Sequence, residues 1–187
     1  VAGLMAILTI RTGWVACYQD PDVPNELLVY TQTSPALASL AGEIAAVASL
    51  TGEGADLRVT IDGSSGFTWP WTWYLRDYSQ VSYSDMGYSR PDGPSDSSVA
   101  VVHTRNENIA KSAFENDFTD GRRFPHRQWF PETYKNTSWK QFVDTLVRPT
   151  RWQNALNFFL YRDMSQSIGS EDAFVYFDRD IPFRALE

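Results

Sequence analysis

The chain has 187 residues, which is long enough for one domain with a substantial hydrophobic core. Its net charge of −7 argues against the phosphate backbone of a nucleic acid as a partner. The single cysteine, Cys17, excludes an internal disulfide and any zinc site built from cysteines. Aromatic residues make up 14% of the chain and include seven tryptophans, which favours a large aromatic core or a stacking surface.

The first ten residues, Val1 to Ile10, form an apolar run that ends at Arg11. This run is shorter than the roughly 20 residues needed to span a bilayer, and it lacks the features of a signal peptide. Two interpretations are open: a core element of the domain, or the end of a transmembrane helix. We therefore treat residues 1–19 as an N-terminal segment and residues 20–187 as a single soluble α/β domain. The start at Val1 instead of Met indicates a fragment or a processed form.

Beyond this segment, apolar runs alternate with stretches of helical periodicity. Strands are predicted at Leu27–Gln32, Leu57–Ile61, Gln80–Tyr83, Val99–His103 and Phe174–Phe177. Helices are predicted at Ala36–Leu50, Glu107–Asn116, Trp139–Arg148 and Arg151–Arg162. Residues 120–131, which are basic and aromatic, are predicted to be irregular. Continuous apolar strands separated by helices predict an α/β fold: a three-layer, mostly parallel, Rossmann-like sheet with helices on both faces.

The most informative stretch runs from Arg58 to Tyr78. A buried strand is predicted to end at Asp62, and a Gly/Ser loop then leads into a short helix with Thr68 as its N-cap. In such sheets ligands bind beyond the carboxyl ends of the strands, which is where this loop emerges. Within the helix, Trp69 and Trp73 align at a spacing of four residues, whereas Trp71 and Tyr74 project elsewhere. Some of this aromatic surface is therefore expected to meet a partner or a ligand.

Catalytic patterns are mostly absent. The loop Gly63-Ser64-Ser65-Gly66-Phe67 lacks the last glycine of a G-x-S-x-G nucleophile motif, and the chain has no phosphate-binding loop. A hydrolase triad of Ser65, Asp62 and His103 is a weaker alternative. His103 and His126 are far apart in sequence, and a metal site on both would need carboxylates that the sequence does not place. We therefore predict no catalytic residue, no metal and no cofactor.

A basic run stands out in this acidic chain. It contains Arg122, Arg123, His126 and Arg127. Arginine suits phosphate or carboxylate groups because its guanidinium presents several donors in a fork. The alternative is a solvated loop whose basic side chains pair with nearby Asp117 and Asp120.

Several stretches together resemble one family. They are residues 22–35 (DVPNELLVYTQTSP), 62–70 (DGSSGFTWP), 73–78 (WYLRDY), 127–132 (RQWFPE) and 176–180 (YFDRD). These stretches resemble the soluble C-terminal region of bacterial and archaeal multi-spanning glycosyltransferases described as flippase activity-associated. That group is related to oligosaccharyltransferases and protein mannosyltransferases of the GT-C superfamily.

The resemblance implies a specific function. In GT-C enzymes the catalytic acidic residues lie on loops of the membrane portion, which use a sugar donor linked to a polyprenyl phosphate. This chain would be the extracytoplasmic domain of such an enzyme at the cell membrane, without catalytic activity of its own. It would assist recognition of the acceptor or glycan beside its own transmembrane catalytic domain. Residues 73–78 are only loosely similar to the W-W-D-Y-G motif of oligosaccharyltransferases, since the adjacent Trp pair and the Gly are missing.

The candidate binding residues are those of the aromatic helix and the basic run, together with the strand-end carboxylate. They are Asp62, Trp69, Trp71, Trp73, Tyr74, Arg76, Asp77, Arg123, Arg127 and Trp129. Two other functions stay open. One is a free-standing α/β hydrolase or nucleotide-sugar-binding enzyme that uses the strand-end loops. The other is a protein-interaction domain whose exposed tryptophans form an interface.

Overall fold

A computed structural model describes residues 2–19, 21–25, 31–87, 96–131, 138–164 and 166–181. The chain forms two compact units, each made of two segments. The first comprises Val1–Gln32 and Arg127–Ser170, and the second comprises Thr33–His126 and Glu171–Glu187. The division into residues 1–19 and 20–187 stays a prediction.

Among its described residues, the first unit contains three α-helices. Helix α1 spans Ala2–Trp14 and has no buried residue, and a short π-helix, Val15–Gln19, follows it. Helices α5 (Trp139–Val147) and α6 (Pro149–Tyr161) confirm the two helices predicted on either side of Pro149. Among the described residues, no helix is long and apolar enough to cross a membrane.

The described part of the second unit contains three further α-helices and most of the strands. The helices are α2 (Pro35–Thr51), α3 (Thr68–Tyr74) and α4 (Glu107–Phe114). The strands are β1 (Gln32–Thr33), β2 (Val59–Asp62), β3 (Val81–Ser84), β4 (Val99–His103), β5 (Arg122–Trp129) and β6 (Gly169–Phe177). Strands β1, β5 and β6 extend across the boundary between the two units.

The six strands form one mixed sheet in the order β1-β5-β6-β4-β2-β3. Strand β2 pairs in parallel with β3 and β4, whereas β4 pairs antiparallel with β6. The sheet as a whole is mostly antiparallel, so the prediction of a mostly parallel, three-layer, Rossmann-like fold is wrong. The main reason is β5: the segment predicted to be irregular is an eight-residue strand that lies beside β6.

The core of the second unit is divided between two hydrophobic clusters. Alternate residues of β4 contribute to them, Val99 and Val101 to one and Ala100 and Val102 to the other, because successive side chains of a strand point to opposite faces. The first cluster also contains the inward residues of α2 and α3. The second contains Met86 and the buried residues of α4.

The starts of helices α2 and α3 differ in how well they agree with the sequence-based expectations. The helix predicted at Ala36–Leu50 is confirmed: α2 begins after Ser34, whose hydroxyl accepts a hydrogen bond from the Ala36 N–H, and it ends at Gly52 with φ of 75°. Thr68 is not an N-cap, because a 3₁₀ turn leads directly into α3 and makes Thr68 its first residue. Most of the strand predicted at Leu27–Gln32 lies outside the described residues.

Candidate functional site

Helix α3 places two tryptophans on the surface. Trp69 is 78% exposed and Trp73 is 67% exposed, although the hydrophobic effect favours burial of such side chains. The two indoles border an apolar depression of about 320 Å³, which is near the lower end of the size range of small-molecule sites. Its lining residues, which we call the aromatic ledge, are Thr33, Trp69, Pro70, Thr72, Trp73 and Tyr74.

One side of Trp73 is covered by Arg76. The guanidinium carbon lies 4.5 Å from the ring centroid, an arrangement that attracts a cation to the face of an indole. Arg76 Nη1 also donates to the Trp73 carbonyl at 2.8 Å, and Arg76 Nε lies 3.8 Å from the Asp77 carboxylate. These contacts place the guanidinium against one face of the Trp73 ring.

Trp71, the third tryptophan of α3, is completely buried. Its ring lies 6.3 Å from that of His126 and 6.2 Å from that of Phe124, with an edge-to-face arrangement for the phenylalanine. His126 is itself fully buried and stacks on Phe67 at 4.0 Å. Trp71 is therefore a core residue and does not belong to the exposed aromatic surface.

Asp62 is also fully buried, and its carboxylate connects several loops. One oxygen accepts the Ser64 N–H at 2.9 Å and the Met86 N–H at 3.4 Å. The other accepts the His103 N–H at 3.1 Å and the Asn106 side-chain amide at 2.8 Å. These bonds satisfy the carboxylate, as a buried charge requires, and they hold together the segments that follow β2, β3 and β4. Asp62 was predicted to bind a ligand, but its carboxylate holds loops together and does not line the aromatic ledge.

The arrangement around His103 does not form the hydrolase triad that the sequence left open. His103 Nδ1 accepts the Arg105 N–H at 3.0 Å, and Nε2 lies 2.7 Å from the Glu171 carboxylate. Asp62 contacts only the backbone of His103, and the Ser65 hydroxyl accepts a hydrogen bond from Arg105. Both ring nitrogens are thus used by groups other than Ser65 and Asp62. Glu171 was not expected from the sequence, because it lies before the strand predicted at Phe174–Phe177 and belongs to the longer strand β6.

The basic run lies on β5 and not in a loop. Arg123 Nε donates to Asp172 at 2.7 Å, and Arg122 forms an ion pair with Glu43. These acidic partners differ from Asp117 and Asp120, because strand geometry sends the arginines toward β6 and α2. Two other predicted residues, Arg127 and Trp129, lie at the end of β5 in the first unit.

The indole of Trp129 lies against Gly169, which belongs to the same unit. A Cβ atom at Gly169 would overlap its indole ring, so the glycine is needed for this approach. Trp129 is therefore half-buried against backbone, unlike the two tryptophans of the aromatic ledge.

A second, more polar cavity of about 600 Å³ lies beside α4. Tyr176 lines it, and burial raises the pKa of its hydroxyl to about 12, with a smaller contribution from the negative charge of Glu107. None of the predicted site residues lines this cavity. Among the described residues, no group of three histidine, cysteine or acidic side chains is arranged to hold a metal ion.

The structure thus brings together five of the predicted residues. They are Trp69, Trp73, Tyr74, Arg76 and Asp77. Three further residues, Thr33, Pro70 and Thr72, complete the depression, and no pattern in the sequence indicated them. Comparisons of the chain with protein-family models, with curated proteins and with solved structures found no match.

Proposed function

We propose that this chain is the extracytoplasmic domain of a polytopic membrane glycosyltransferase and that its aromatic ledge binds the glycan or the glycosylated acceptor. The enzyme would transfer sugar from a polyprenyl-phosphate donor in its own transmembrane catalytic domain. This chain would not be catalytic itself. The resemblance of residues 62–70 and 73–78 to that family is the sequence argument for the proposal.

The observation that carries the proposal is the pair of exposed indoles beside an apolar depression. Sugar rings have apolar C–H faces that stack on aromatic rings, while their hydroxyl groups stay available to water or polar neighbours. The depression is large enough for about one sugar ring, and Thr33 and Thr72 are among its lining residues. Tyr74 adds a phenol that is able to donate or accept a hydrogen bond.

A binding experiment on the chain tests this proposal. Oligosaccharides of glucose, mannose and N-acetylglucosamine are titrated while tryptophan fluorescence and its quenching by iodide are recorded. We expect at least one of them to protect the exposed tryptophans, and we expect Trp73→Ala to weaken that binding by about tenfold or more. Trp14→Ala, which removes an exposed tryptophan on α1, is the matched control and should leave binding unchanged.

Two results would overturn the proposal. One is equal binding by wild type and Trp73→Ala, or no binding by either protein. The other is turnover of a polyprenyl-phosphate-linked sugar by the isolated chain, because the proposal places catalysis elsewhere. Protection of Trp69 by a protein and by none of the sugars would favour the protein-interaction function instead.

A further inference from the structure

Helices α5 and α6 carry an unusual amount of exposed apolar surface. In α5, Trp139, Phe142, Val143 and Leu146 recur at the spacing of one helical face, and all four are exposed. In α6, Trp152, Leu156 and Phe159 recur in the same way, and they are also exposed. In a globular protein such a stripe normally faces the core, so both stripes lack the burial that their pattern predicts.

The two helices form a defined hairpin. A capping box between Ser138 and Gln141 begins α5, and Pro149 occupies the first turn of α6. The Trp152 indole N–H donates to the Leu146 carbonyl at 2.9 Å, which ties the start of α6 to the end of α5. The exposed stripes therefore belong to two helices joined in a hairpin, the first of which begins at a capping box.

The charge of the hairpin is opposite to that of the chain. Between residues 139 and 162 there are four basic side chains and one acidic side chain, although the whole chain has a net charge of −7. The acidic one, Asp144, bonds to Arg148 at 2.8 Å. The four basic residues are Lys140, Arg148, Arg151 and Arg162.

We propose that the α5–α6 hairpin is a membrane-surface anchor that lies in the headgroup region of a bilayer containing anionic lipids. Exposed Trp, Phe and Leu on one face with Lys and Arg beside them is the pattern of an interfacial helix. Indole and phenol rings suit the headgroup level, and basic side chains gain from the negative surface potential. A protein partner would also explain the apolar stripes, but the combination of exposed aromatic residues with a local excess of basic residues favours an anionic lipid surface.

This inference is independent of glycan binding, because it uses no residue of the aromatic ledge. The test is flotation of the 187-residue chain with vesicles of phosphatidylcholine alone or of an equal mixture of phosphatidylcholine and phosphatidylglycerol. We expect the chain to float with the mixed vesicles and to bind the neutral ones at least about tenfold more weakly. Added salt should weaken the binding to the mixed vesicles.

Two pairs of variants make the test specific. Arg151→Glu should lower binding to the mixed vesicles by about tenfold or more, while Lys111→Glu, the same change of charge on α4, should have little effect. Trp139→Ser should lower binding similarly, while Trp69→Ser should not. Circular dichroism of each variant checks that its helices are intact.

Some results would contradict the proposal that the α5–α6 hairpin binds a membrane surface. If the wild-type chain does not float with anionic vesicles, or if Lys111→Glu and Trp69→Ser lose as much binding as their counterparts, the proposal is wrong. A concentration-dependent dimer that Trp139→Ser disrupts, without vesicle binding, would assign the hairpin to a second copy of the chain. Loss of vesicle binding with intact sugar binding separates this proposal from the function proposed for the aromatic ledge.

Discussion

Alternate tryptophans of α3 have opposite environments, and a substitution series separates them. Trp71 is buried against His126 and Phe124, so Trp71→Ala leaves a cavity in the core. We expect it to lower the free energy of unfolding by about 3–5 kcal/mol in urea titrations. Trp69→Ala removes an exposed ring and should change stability by no more than about 0.5 kcal/mol. Similar losses from the two variants would contradict the assignment of Trp71 to the core.

Asp62 offers a second comparison at this scale. Asp62→Ala removes an acceptor from four donors, three of them backbone N–H groups that lie in buried surroundings. Because unpaired buried donors are costly, we expect a loss of about 3–5 kcal/mol in the free energy of unfolding. Asp77→Ala is the control, since Asp77 is an exposed carboxylate whose contact with Arg76 is long. A loss below about 1 kcal/mol for Asp62→Ala would show that the carboxylate does not hold these segments together.

At the scale of elements, two glycines differ in whether a larger side chain would fit at their positions. Gly121 directly precedes β5, and a Cβ atom there would lie 2.6 Å from the buried ring of Tyr176. Gly42 lies inside α2, and a Cβ atom there would contact nothing. We expect Gly121→Ala to destabilise the protein by about 1–3 kcal/mol and Gly42→Ala to stabilise it by about 0.5–1 kcal/mol. Thermal and urea unfolding both report the sign, and the same sign for both variants would contradict the close approach of β5 to Tyr176.

The elements also show what the sequence could predict. Strand β4 was predicted at its observed bounds, because a continuous apolar run is typical of a strand buried on both faces. Strand β5 was missed because its basic and aromatic residues and Pro125 gave no apolar run. Its arginines are compensated by Glu43 and Asp172, which are distant in sequence, so the local pattern carried no sign of them.

The arrangement of the tryptophans on α3 was also predictable only in part. Helical spacing separated the row of Trp69 and Trp73 from Trp71, and the structure confirms that separation. The sequence did not indicate which row is buried, because a short helix with aromatic residues on every side has no polar face to mark its orientation. That choice depends on the stacking of Trp71 with His126, a contact between α3 and β5.

For the whole molecule, the raised pKa of Tyr176 leads us to expect a loss of stability in alkaline solution. The unfolded chain ionises a tyrosine near pH 10, whereas burial keeps the folded pKa at about 12. The protonated Tyr176 hydroxyl therefore makes its full contribution to the free energy of unfolding below about pH 10, and that contribution decreases as the pH rises toward 12. In urea unfolding across this range, we expect Tyr176→Phe to reduce the slope of stability against pH by up to about 1 kcal/mol per pH unit.

The control for this measurement is Tyr83→Phe, which removes an exposed hydroxyl and should leave the slope as it is in the wild type. Tyr78, whose pKa is also raised by burial and by Asp77, contributes equally in all three proteins and cancels from the comparison. Identical slopes for wild type and Tyr176→Phe would mean that this hydroxyl is not protected in the folded state.

The buried carboxylate of Asp62 has a consequence for the entropy of ligand binding. It fixes Ser64, the Ser64 carbonyl accepts the Phe67 N–H at 3.0 Å, and the next residue begins α3. The start of α3 is thus held by hydrogen bonds before any ligand arrives, so a ligand of the ledge would lose little affinity to the ordering of this backbone. If the ledge binds glycans as proposed, weak stacking of a single sugar ring would then be sufficient for measurable binding. Asp62→Ala should weaken sugar binding from within the core, even though it leaves every contact residue of the ledge in the chain.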